Sequence, residues 1–217
     1  MSTRPAFALR RRVFPTARTI LLEHDLARLP LAGLRDVLVV GAGDDPYRRW
    51  FSGATAYVRM DIRALPGSVD VVADAHHLPF ASEAFDCVFA AEVFEHLRDP
   101  RRFIAEALRT TRPGGKTILT VPFMFHMHAD PYDFWRPTRQ ACADVFGDQA
   151  RVEVYGQGNR LHVISDLLTT AGGRWPPLFP LRIVNFLFRL AAAGSTEGGS
   201  RSTAPSGFCV IATKNGP

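Results

Sequence analysis

The fold is decided by the stretch Asp36-Val-Leu-Val-Val-Gly-Ala-Gly-Asp-Asp-Pro46. Its apolar run, residues 37–40, is typical of a strand buried on both faces of a parallel sheet. Gly41 and Gly43 follow directly, and a backbone without Cβ atoms can turn sharply and approach a ligand closely. Asp61 comes twenty residues after Gly41, which suits a carboxylate at the tip of the next strand, where it can bind a ribose. The stretch therefore predicts an adenosine-binding site.

The acidic loop after the glycines argues against a dinucleotide cofactor. A dinucleotide-binding fingerprint has a third glycine, which lets a helix and a pyrophosphate pack closely against the strand. Pro46 occupies that position here, and it follows Asp44 and Asp45. Two carboxylates would repel a pyrophosphate, whereas S-adenosylmethionine has no phosphate and carries a sulfonium, an ammonium and one carboxylate. The loop therefore favours S-adenosyl-L-methionine over a nicotinamide dinucleotide.

The composition indicates one soluble globular domain with an ordinary core. The 217 residues are enough for a complete α/β core, and 47% hydrophobic and 22% charged residues are typical of such proteins. The net charge is +5, but the only lysines are Lys116 and Lys214, so the arginine bias indicates a GC-rich genome more than a nucleic-acid surface. We expect residues 1–15 to form a basic, solvated N-terminal arm, with an anionic partner such as RNA or a lipid headgroup as the alternative.

The cysteines and the hydropathy pattern limit the kinds of site and compartment. Cys87, Cys142 and Cys209 are odd in number and lack the spacing of a zinc site or a disulfide framework. The N-terminus shows no signal peptide, and no run of about 18 apolar residues is free of charge, so we predict a cytoplasmic protein.

Strand-like and helix-like segments alternate along the chain. This alternation predicts a doubly wound, Rossmann-like α/β fold: a mostly parallel seven-stranded sheet with helices on both faces and an antiparallel last strand. Residues 16–217 are expected to form one domain, in which residues 160–206 are a helical cap and flexible loop inserted before the last strand. The predicted strands lie near 36–40, 56–60, 69–73, 85–90, 116–121, 151–156 and 207–213. The predicted helices lie near 16–29, 45–52, 100–111, 137–146, 160–171 and 181–193.

Four further motifs follow the glycine loop along the chain. They are Asp74-Ala-His-His-Leu-Pro-Phe80, Phe85-Asp-Cys-Val88, Glu92-Val-Phe-Glu-His96 and Arg109-Thr-Thr-Arg-Pro-Gly-Gly115. In this order and spacing the chain resembles the class I S-adenosylmethionine-dependent methyltransferases, specifically the methyltransferase type 11 family, over roughly residues 36–123. The resemblance implies that residues 16–217 are a methyltransferase domain and that S-adenosyl-L-methionine is the cofactor.

The resemblance also implies which residues contact the cofactor. The glycine loop would line the methionine and ribose, Asp61 would bind the ribose hydroxyls, and Ile62 would pack on the adenine ring. A turn cap is the alternative role of Asp61. Glu95 and His96 are expected to brace the edge of the sheet, and Asp86 to satisfy local backbone donors. The cofactor-binding residues implied in this way are Gly41, Ala42, Gly43, Asp61, Ile62, Asp74, Ala75, Ala91 and Glu92.

Residues 122–138 are the second informative segment, because they follow the fifth predicted strand, where α/β folds place their ligands. The segment resembles the H-x-x-P-x-D-[YF]-x-R-x-T stretch of a bacterial subset of the family that often accompanies cell-surface glycan and other secondary biosynthesis. A neutral oxygen or nitrogen that attacks a methyl group loses a proton, which a histidine can accept. We predict His128 as this base, His126 as the second candidate and Asp133 as the group that orients it. The predicted substrate contacts are Tyr132, Trp135 and Arg136.

Two other interpretations of this segment stay open. His128, Asp133 and Arg136 can form a buried ion-pair cluster that only shapes the loop. His126, His128 and Asp130 can bind a metal, but H-x-H-x-D in a loop is a weak pattern, and we predict no metal site.

A third segment, residues 176–193, has a narrow polar stripe on an otherwise apolar helical pattern. The pattern is typical of a helix buried against its own domain or a dimer partner. A lid over the substrate and a peripheral membrane contact are the alternatives, and the low-complexity loop 194–206 beside it favours a cap that opens. The chain is expected to be a monomer or a homodimer.

The sequence thus predicts an enzyme that transfers a methyl group from S-adenosyl-L-methionine to a small-molecule or glycan acceptor, with oxygen as the favoured acceptor atom. One alternative is an RNA or protein methyltransferase that uses the arginine-rich arm, although the charge pattern argues against a nucleic-acid partner. The other alternative is a catalytically silent binding protein with the same fold.

Overall fold

The computed structural model describes residues 17–29, 31, 33–128, 132–171 and 204–216. The predicted arm at 1–15, the helix at 176–193 and most of the loop at 194–206 lie outside the described residues, as does Asp130. The chain divides into two compact units. Of the described residues, 17–28, 124–126, 156–171 and 204–207 belong to the first unit, and the others belong to the second.

The described residues form a seven-stranded sheet in the order β3-β2-β1-β4-β5-β7-β6. The pairs β1–β2, β2–β3, β1–β4 and β4–β5 are parallel, and the last strand is antiparallel, so the predicted Rossmann-like fold is confirmed. The strands are β1 (Asp36–Val40), β2 (Ala56–Asp61), β3 (Val71–Val72), β4 (Phe85–Ala91), β5 (Thr111–Pro122), β6 (Ala150–Gln157) and β7 (Gly207–Lys214).

The helices begin where the sequence supplies capping residues. Asp99 accepts a hydrogen bond from the backbone N–H of Arg102, and Pro100 occupies the first turn, where its missing N–H costs nothing. Thr138 caps the next helix in the same way through Ala141. The α-helices are α1 (Ala17–Leu26), α2 (Pro100–Thr110), α3 (Arg139–Asp144) and α4 (Arg160–Ala171), and short 3₁₀ turns cover Arg48–Phe51, Phe94–His96 and Gly147–Gln149.

Two sequence-based predictions of secondary structure are wrong. The helix predicted at 45–52 is only a 3₁₀ turn over Arg48–Phe51, because Asp45 takes a left-handed φ of 49° and a right-handed helix cannot include that residue. Residues 112–115, which separate the predicted helix at 100–111 from the predicted strand at 116–121, are instead part of β5. Gly114 has a φ of 75° there, and the register against β4 shifts near Phe85.

Strand β1 lies inside the sheet, between β2 and β4, and is buried on both faces. Its residues 37–40 are fully buried, and neighbouring β4 is equally apolar. The chain order reverses between these two strands, since β2 and β3 lie on one side of β1 and β4 and β5 on the other. In open α/β sheets the crevice at the carboxyl ends of the strands on either side of such a reversal binds the ligand.

The opposite end of the sheet is closed by charge pairing. Asp86 accepts hydrogen bonds from the backbone N–H groups of Arg35 and Asp36 at 2.9 and 3.0 Å. The guanidinium of Arg112 contacts the carboxylates of Asp36 and Asp86 at 2.7 and 2.6 Å. Asp86 therefore satisfies local backbone donors, as the sequence predicts.

The first unit, within the described residues, pairs α1 with α4. The side chain of Gln157 donates a hydrogen bond to Asp25 at 2.6 Å, and the Gln157 carbonyl accepts one from the Ser206 N–H at 2.8 Å. Burial raises the pKa of Asp25 even though Gln157 and His24 oppose that effect.

Candidate active site

The glycine loop after β1 depends on Gly41 for two separate reasons. Gly41 has a φ of 68°, and a Cβ atom at this position would lie 2.3 Å from Cγ2 of Val93. Gly43 has a φ of 54°, but a Cβ there would meet no atom within 4 Å. Gly41 is therefore required by conformation and by space, whereas Gly43 is required by conformation alone.

Asp61, at the tip of β2, holds the glycine loop in place. One of its carboxylate oxygens accepts a hydrogen bond from the Gly43 N–H at 3.0 Å, and the other accepts one from the Arg63 N–H at 2.9 Å. The residue is only 5% exposed. A carboxylate oxygen has two lone pairs, so each oxygen can accept a further hydrogen bond from a ribose hydroxyl. The turn-capping role and the predicted ribose role are therefore compatible.

Ile62 follows Asp61 and projects from the end of β2. Its side chain is 67% exposed, although isoleucine is among the residues most often buried. An exposed apolar side chain beside a buried carboxylate suits the predicted stacking on an adenine ring.

The loop after β3 contains Asp74 and Ala75. Asp74 accepts a hydrogen bond from the His76 N–H at 2.9 Å and contacts the ring Nδ1 of His76 at 2.6 Å. Partial burial would raise the pKa of Asp74, but these contacts with His76 outweigh it and the pKa is lowered. The carboxylate is half-exposed and charged, and it can accept a hydrogen bond from an adenine amine.

A clamp that the sequence did not predict holds this loop on α2. The guanidinium of Arg109 donates hydrogen bonds to the carbonyl oxygens of Leu78 and Phe80 at 3.0 and 2.9 Å. Glu106 pairs with Arg109 and accepts a hydrogen bond from the Leu78 N–H at 2.9 Å. The motif containing Arg109 is visible in the sequence, but its contact with residues about 30 positions earlier depends on the packing of α2.

Ala91 and Glu92 lie at the carboxyl end of β4. Ala91 is buried, and Glu92 has a left-handed φ of 56°, which costs a residue other than glycine about 1–2 kcal/mol. The carboxylate of Glu92 accepts a hydrogen bond from the Thr120 hydroxyl at 2.9 Å. Strained backbone of this kind is frequent at ligand sites, because the surrounding structure enforces it.

One of the two aspartates in the acidic loop after β1 has a structural partner. The carboxylate of Asp45 accepts a hydrogen bond from the Tyr57 hydroxyl at 2.8 Å. Asp45 thereby lines a polar cavity of about 340 Å³ together with Arg48, Arg59 and Asp70. Because the charge of Asp45 is engaged there, Asp44 and Pro46 are the residues of the loop that disfavour a pyrophosphate.

The predicted base, His128, lies between two carboxylates. Its Nε2 is 3.7 Å from Oε1 of Glu95, and its Nδ1 is 3.5 Å from Oδ2 of Asp133. The backbone N–H of His128 also donates a hydrogen bond to Asp133 at 2.9 Å. The side chain of Glu95 is fully buried. This contact of His128 with Asp133 fits the predicted base and also the predicted ion-pair cluster.

Asp133 is held by Arg136. Two guanidinium nitrogens of Arg136 contact the two carboxylate oxygens, one of them at 2.7 Å. The hydrogen bonds from Arg136 lower the pKa of Asp133 to about 2, with smaller contributions from His128. Arg136, predicted as a substrate contact, therefore directs the N–H groups along one edge of its guanidinium at Asp133.

The segment 132–135 is attached to the 3₁₀ turn after β4, and to the residue that follows this turn, by three hydrogen bonds. The carbonyl oxygen of Tyr132 lies 2.6 Å from Nδ1 of His96, and the Phe134 N–H donates to the Glu95 carbonyl at 2.7 Å. The indole N–H of Trp135 donates to the Leu97 carbonyl at 2.7 Å. These contacts bring His96 beside His128, with the two ring centroids 5.1 Å apart.

Exposed apolar side chains lie on the same segment of the chain as His128. Met127 is the most exposed of them, and the rings of Tyr132, Phe134 and Trp135 are also largely exposed. Arg98 lies over the ring of Phe134, 5.7 Å from its centroid. The predicted substrate contacts Tyr132 and Trp135 are therefore accessible.

His126, the second predicted base, belongs to the other compact unit. Its ring packs against that of Phe125, with centroids 4.3 Å apart. Asp130, which the sequence pairs with it as a possible metal ligand, lies outside the described residues.

Residues 38–119 match the protein family described as a methyltransferase domain. Over these residues, which are less than half of its length, the chain is a methyltransferase domain. The resemblance predicted from the sequence is thereby confirmed, while the resemblance of residues 122–138 to a bacterial subset stays a prediction.

Individual relatives agree with this family. A phthiotriol/phenolphthiotriol dimycocerosates methyltransferase of Mycobacterium tuberculosis is 47% identical over 51 residues, which are 24% of this chain and 19% of that protein. The chain spans less than a third of the length of the curated relatives it matches.

Solved structures share the fold of the methyltransferase domain. A Haloferax volcanii methyltransferase, solved in complex with the Trm112 methyltransferase activator, is 18% identical with a TM-score of 0.64, covering 98% of this chain and 96% of that one. Phosphoethanolamine N-methyltransferase 2 of Haemonchus contortus, solved with S-adenosyl-L-methionine, is 14% identical with a TM-score of 0.57, covering 91% and 53%. Across the described part of the chain, helices are too short or too polar to cross a bilayer.

Proposed function

We propose that this protein transfers the methyl group of S-adenosyl-L-methionine to a hydroxyl group of a small-molecule or glycan acceptor. The observation that carries the proposal is the alignment of four strand ends, β1 to β4, each of which supplies a predicted cofactor contact at the switch point of the sheet. The methyltransferase family of residues 38–119 supports the same conclusion.

The residues present fit this cofactor. Gly41 permits close approach of the backbone, Asp61 has free acceptor capacity for ribose hydroxyls, and Ile62 offers an exposed apolar surface. Asp74 is charged and half-exposed, which suits the adenine amine. The cofactor supplies a methyl group made electrophilic by its sulfonium, so the protein's task is to align that methyl with the acceptor oxygen.

The acceptor is proposed to bind beside His128. A hydroxyl that attacks a methyl group must lose its proton, and the His128 imidazole, oriented by Asp133, is the proposed proton acceptor. The exposed rings of Tyr132 and Trp135 offer stacking surfaces for a sugar ring or another flat group. The name of the Mycobacterium tuberculosis relative specifies a triol, which favours oxygen as the acceptor atom.

Isothermal titration with S-adenosylhomocysteine tests the cofactor part of this proposal. We expect one binding site per chain, and folded protein that does not bind would refute the proposal. The substitution Asp61→Asn tests the site, and Asp70→Asn is its matched control. Asp70 lies just before β3, accepts a hydrogen bond from the guanidinium of Arg59 and takes no part in the proposed cofactor contacts. Asp61→Asn should weaken binding by roughly 1.5–3 kcal/mol, the range for hydrogen bonds to a charged group, and Asp70→Asn should leave it unchanged.

A further inference from the structure

We propose that Glu95, His96 and His128 bind one divalent transition-metal cation, with zinc as the best fit. This inference goes beyond the proposed methyl transfer, because neither the family nor the sequence pattern assigns a metal to these residues. The H-x-H-x-D pattern of the sequence offers a different set of ligands, His126, His128 and Asp130, of which only His128 belongs to the cluster proposed here.

The three donor atoms already lie close together. One nitrogen from each imidazole and one carboxylate oxygen lie within 4.8 Å of one another. Oε1 of Glu95 is 3.7 Å from Nε2 of His96 and 3.7 Å from Nε2 of His128. Zinc binds histidine nitrogen and carboxylate oxygen at about 2.0–2.2 Å in tetrahedral geometry, which places neighbouring donors about 3.4 Å apart. Small side-chain movements are therefore enough to close the site.

The outer contacts orient both imidazoles for metal binding. Nδ1 of His96 lies 2.6 Å from the Tyr132 carbonyl oxygen, so in the neutral ring this nitrogen carries the hydrogen and Nε2 carries the lone pair. Nδ1 of His128 faces the Asp133 carboxylate, which Arg136 holds in place. A carbonyl or carboxylate behind each ligating histidine is the usual outer arrangement of zinc sites.

Burial and exposure also suit a bound cation. The carboxylate of Glu95 is fully buried, whereas the His96 and His128 side chains are 21% and 29% exposed. A cation bound here would stabilise the ionised form of this buried carboxyl group. The partly exposed imidazoles leave an approach from solvent, so a fourth ligand position would be open, as it is in catalytic zinc sites.

A cation in this position would change how the acceptor loses its proton. A hydroxyl bound to the open position becomes more acidic, so it can release its proton to solvent without a histidine base. The metal would then take over the role proposed for His128, while the cofactor contacts of the second unit stay as described.

Zinc titration of the full-length protein tests the site. Protein freed of metal with EDTA and dialysed is titrated with zinc sulfate by calorimetry, and we expect one ion per chain. His96→Gln and His128→Gln should each weaken binding by more than about 100-fold, and Asp133→Asn by about 10–100-fold as an outer contact. His24→Gln is the matched control, since His24 lies on α1 and outside the cluster, and its binding should equal wild type.

Glu95→Gln can fail to fold because this side chain is fully buried, so a second measurement uses the unmodified chain. ¹⁵N imidazole spectra should show the Nε2 resonances of two histidines shifting on addition of zinc. Absence of stoichiometric zinc binding, or binding that survives the two cluster histidine substitutions, would overturn the metal site. Titration with S-adenosylhomocysteine in EDTA is run in parallel, so that loss of cofactor binding identifies failure of the proposed function instead.

Discussion

The close approach of Gly41 to Val93 makes Gly41→Ala the sharpest test of the glycine loop. An alanine Cβ would lie 2.3 Å from Cγ2 of Val93 and 3.6 Å from its Cβ, so the overlap is confined to the end of one side chain. The left-handed φ adds about 1–2 kcal/mol, and overpacking typically adds about 1–3 kcal/mol. We expect a loss of about 2–5 kcal/mol in the free energy of unfolding, measured with urea.

Gly43→Ala is the matched control for this change. Its φ is also left-handed, but a Cβ there meets no neighbour within 4 Å, so only the conformational cost of about 1–2 kcal/mol applies. Combining Gly41→Ala with Val93→Ala removes the overlapping methyl group and should recover about 0.5–3 kcal/mol as a coupling energy. The affinity of this double variant for S-adenosylhomocysteine should likewise exceed that of the Gly41→Ala protein.

Either of two results would refute the role assigned to the contact between position 41 and Val93. One is a Gly41→Ala protein no less stable than the Gly43→Ala protein. The other is additivity of Gly41→Ala and Val93→Ala, because the clash assigned to Val93 would then be absent.

Three other substitutions test the remaining parts of the site. Asp133→Asn should remove a pH dependence of the free energy of unfolding. Because folding lowers the pKa of Asp133 from 3.8 to about 2, its carboxylate contributes about 2 kcal/mol of stability at pH values above 3.8. This contribution is lost as the pH falls towards 2, which urea unfolding at several pH values would show. His128→Ala should lower methyl transfer by about 10²-fold or more with cofactor affinity unchanged, and wild-type turnover in a radiolabelled-methyl assay would exclude its proposed role. Arg109→Met should destabilise the protein by about 1–3 kcal/mol, because it leaves the carbonyl oxygens of Leu78 and Phe80 without their donor. Arg101→Met is the control, since Arg101 is exposed, and it should leave the stability unchanged. Equal melting temperatures of the two variants would contradict the role assigned to Arg109.

Local sequence patterns predicted most of the sheet. The apolar run of β1, the glycines after it and the alternation of strands and helices are short-range features, so they could be recognised without tertiary contacts. The order of the motifs likewise predicted which strand ends carry Asp61, Asp74 and Glu92. Parallel strands place their carboxyl ends at one edge, so these residues were expected at a common site.

Other features depend on contacts between distant parts of the chain. The helix predicted at 45–52 is a 3₁₀ turn, and the hydrogen bond between Asp45 and Tyr57 redirects a charge that the sequence assigned to the cofactor loop. Neither outcome can be derived from spacing, because each depends on how the loop packs against β2.

The cluster of Glu95, His96 and His128 shows most clearly which features the sequence determines and which depend on tertiary contacts. The sequence by itself determined a methyltransferase fold and a histidine-rich segment after β5. Only the tertiary structure placed that segment against the 3₁₀ turn after β4, where Glu95 and His96 lie beside His128 although 32 to 33 positions of chain separate them from it. Periodicity reports which face of an element is apolar, but the proximity of two loops is set by the order of strands in the sheet, here the pairing of β4 with β5.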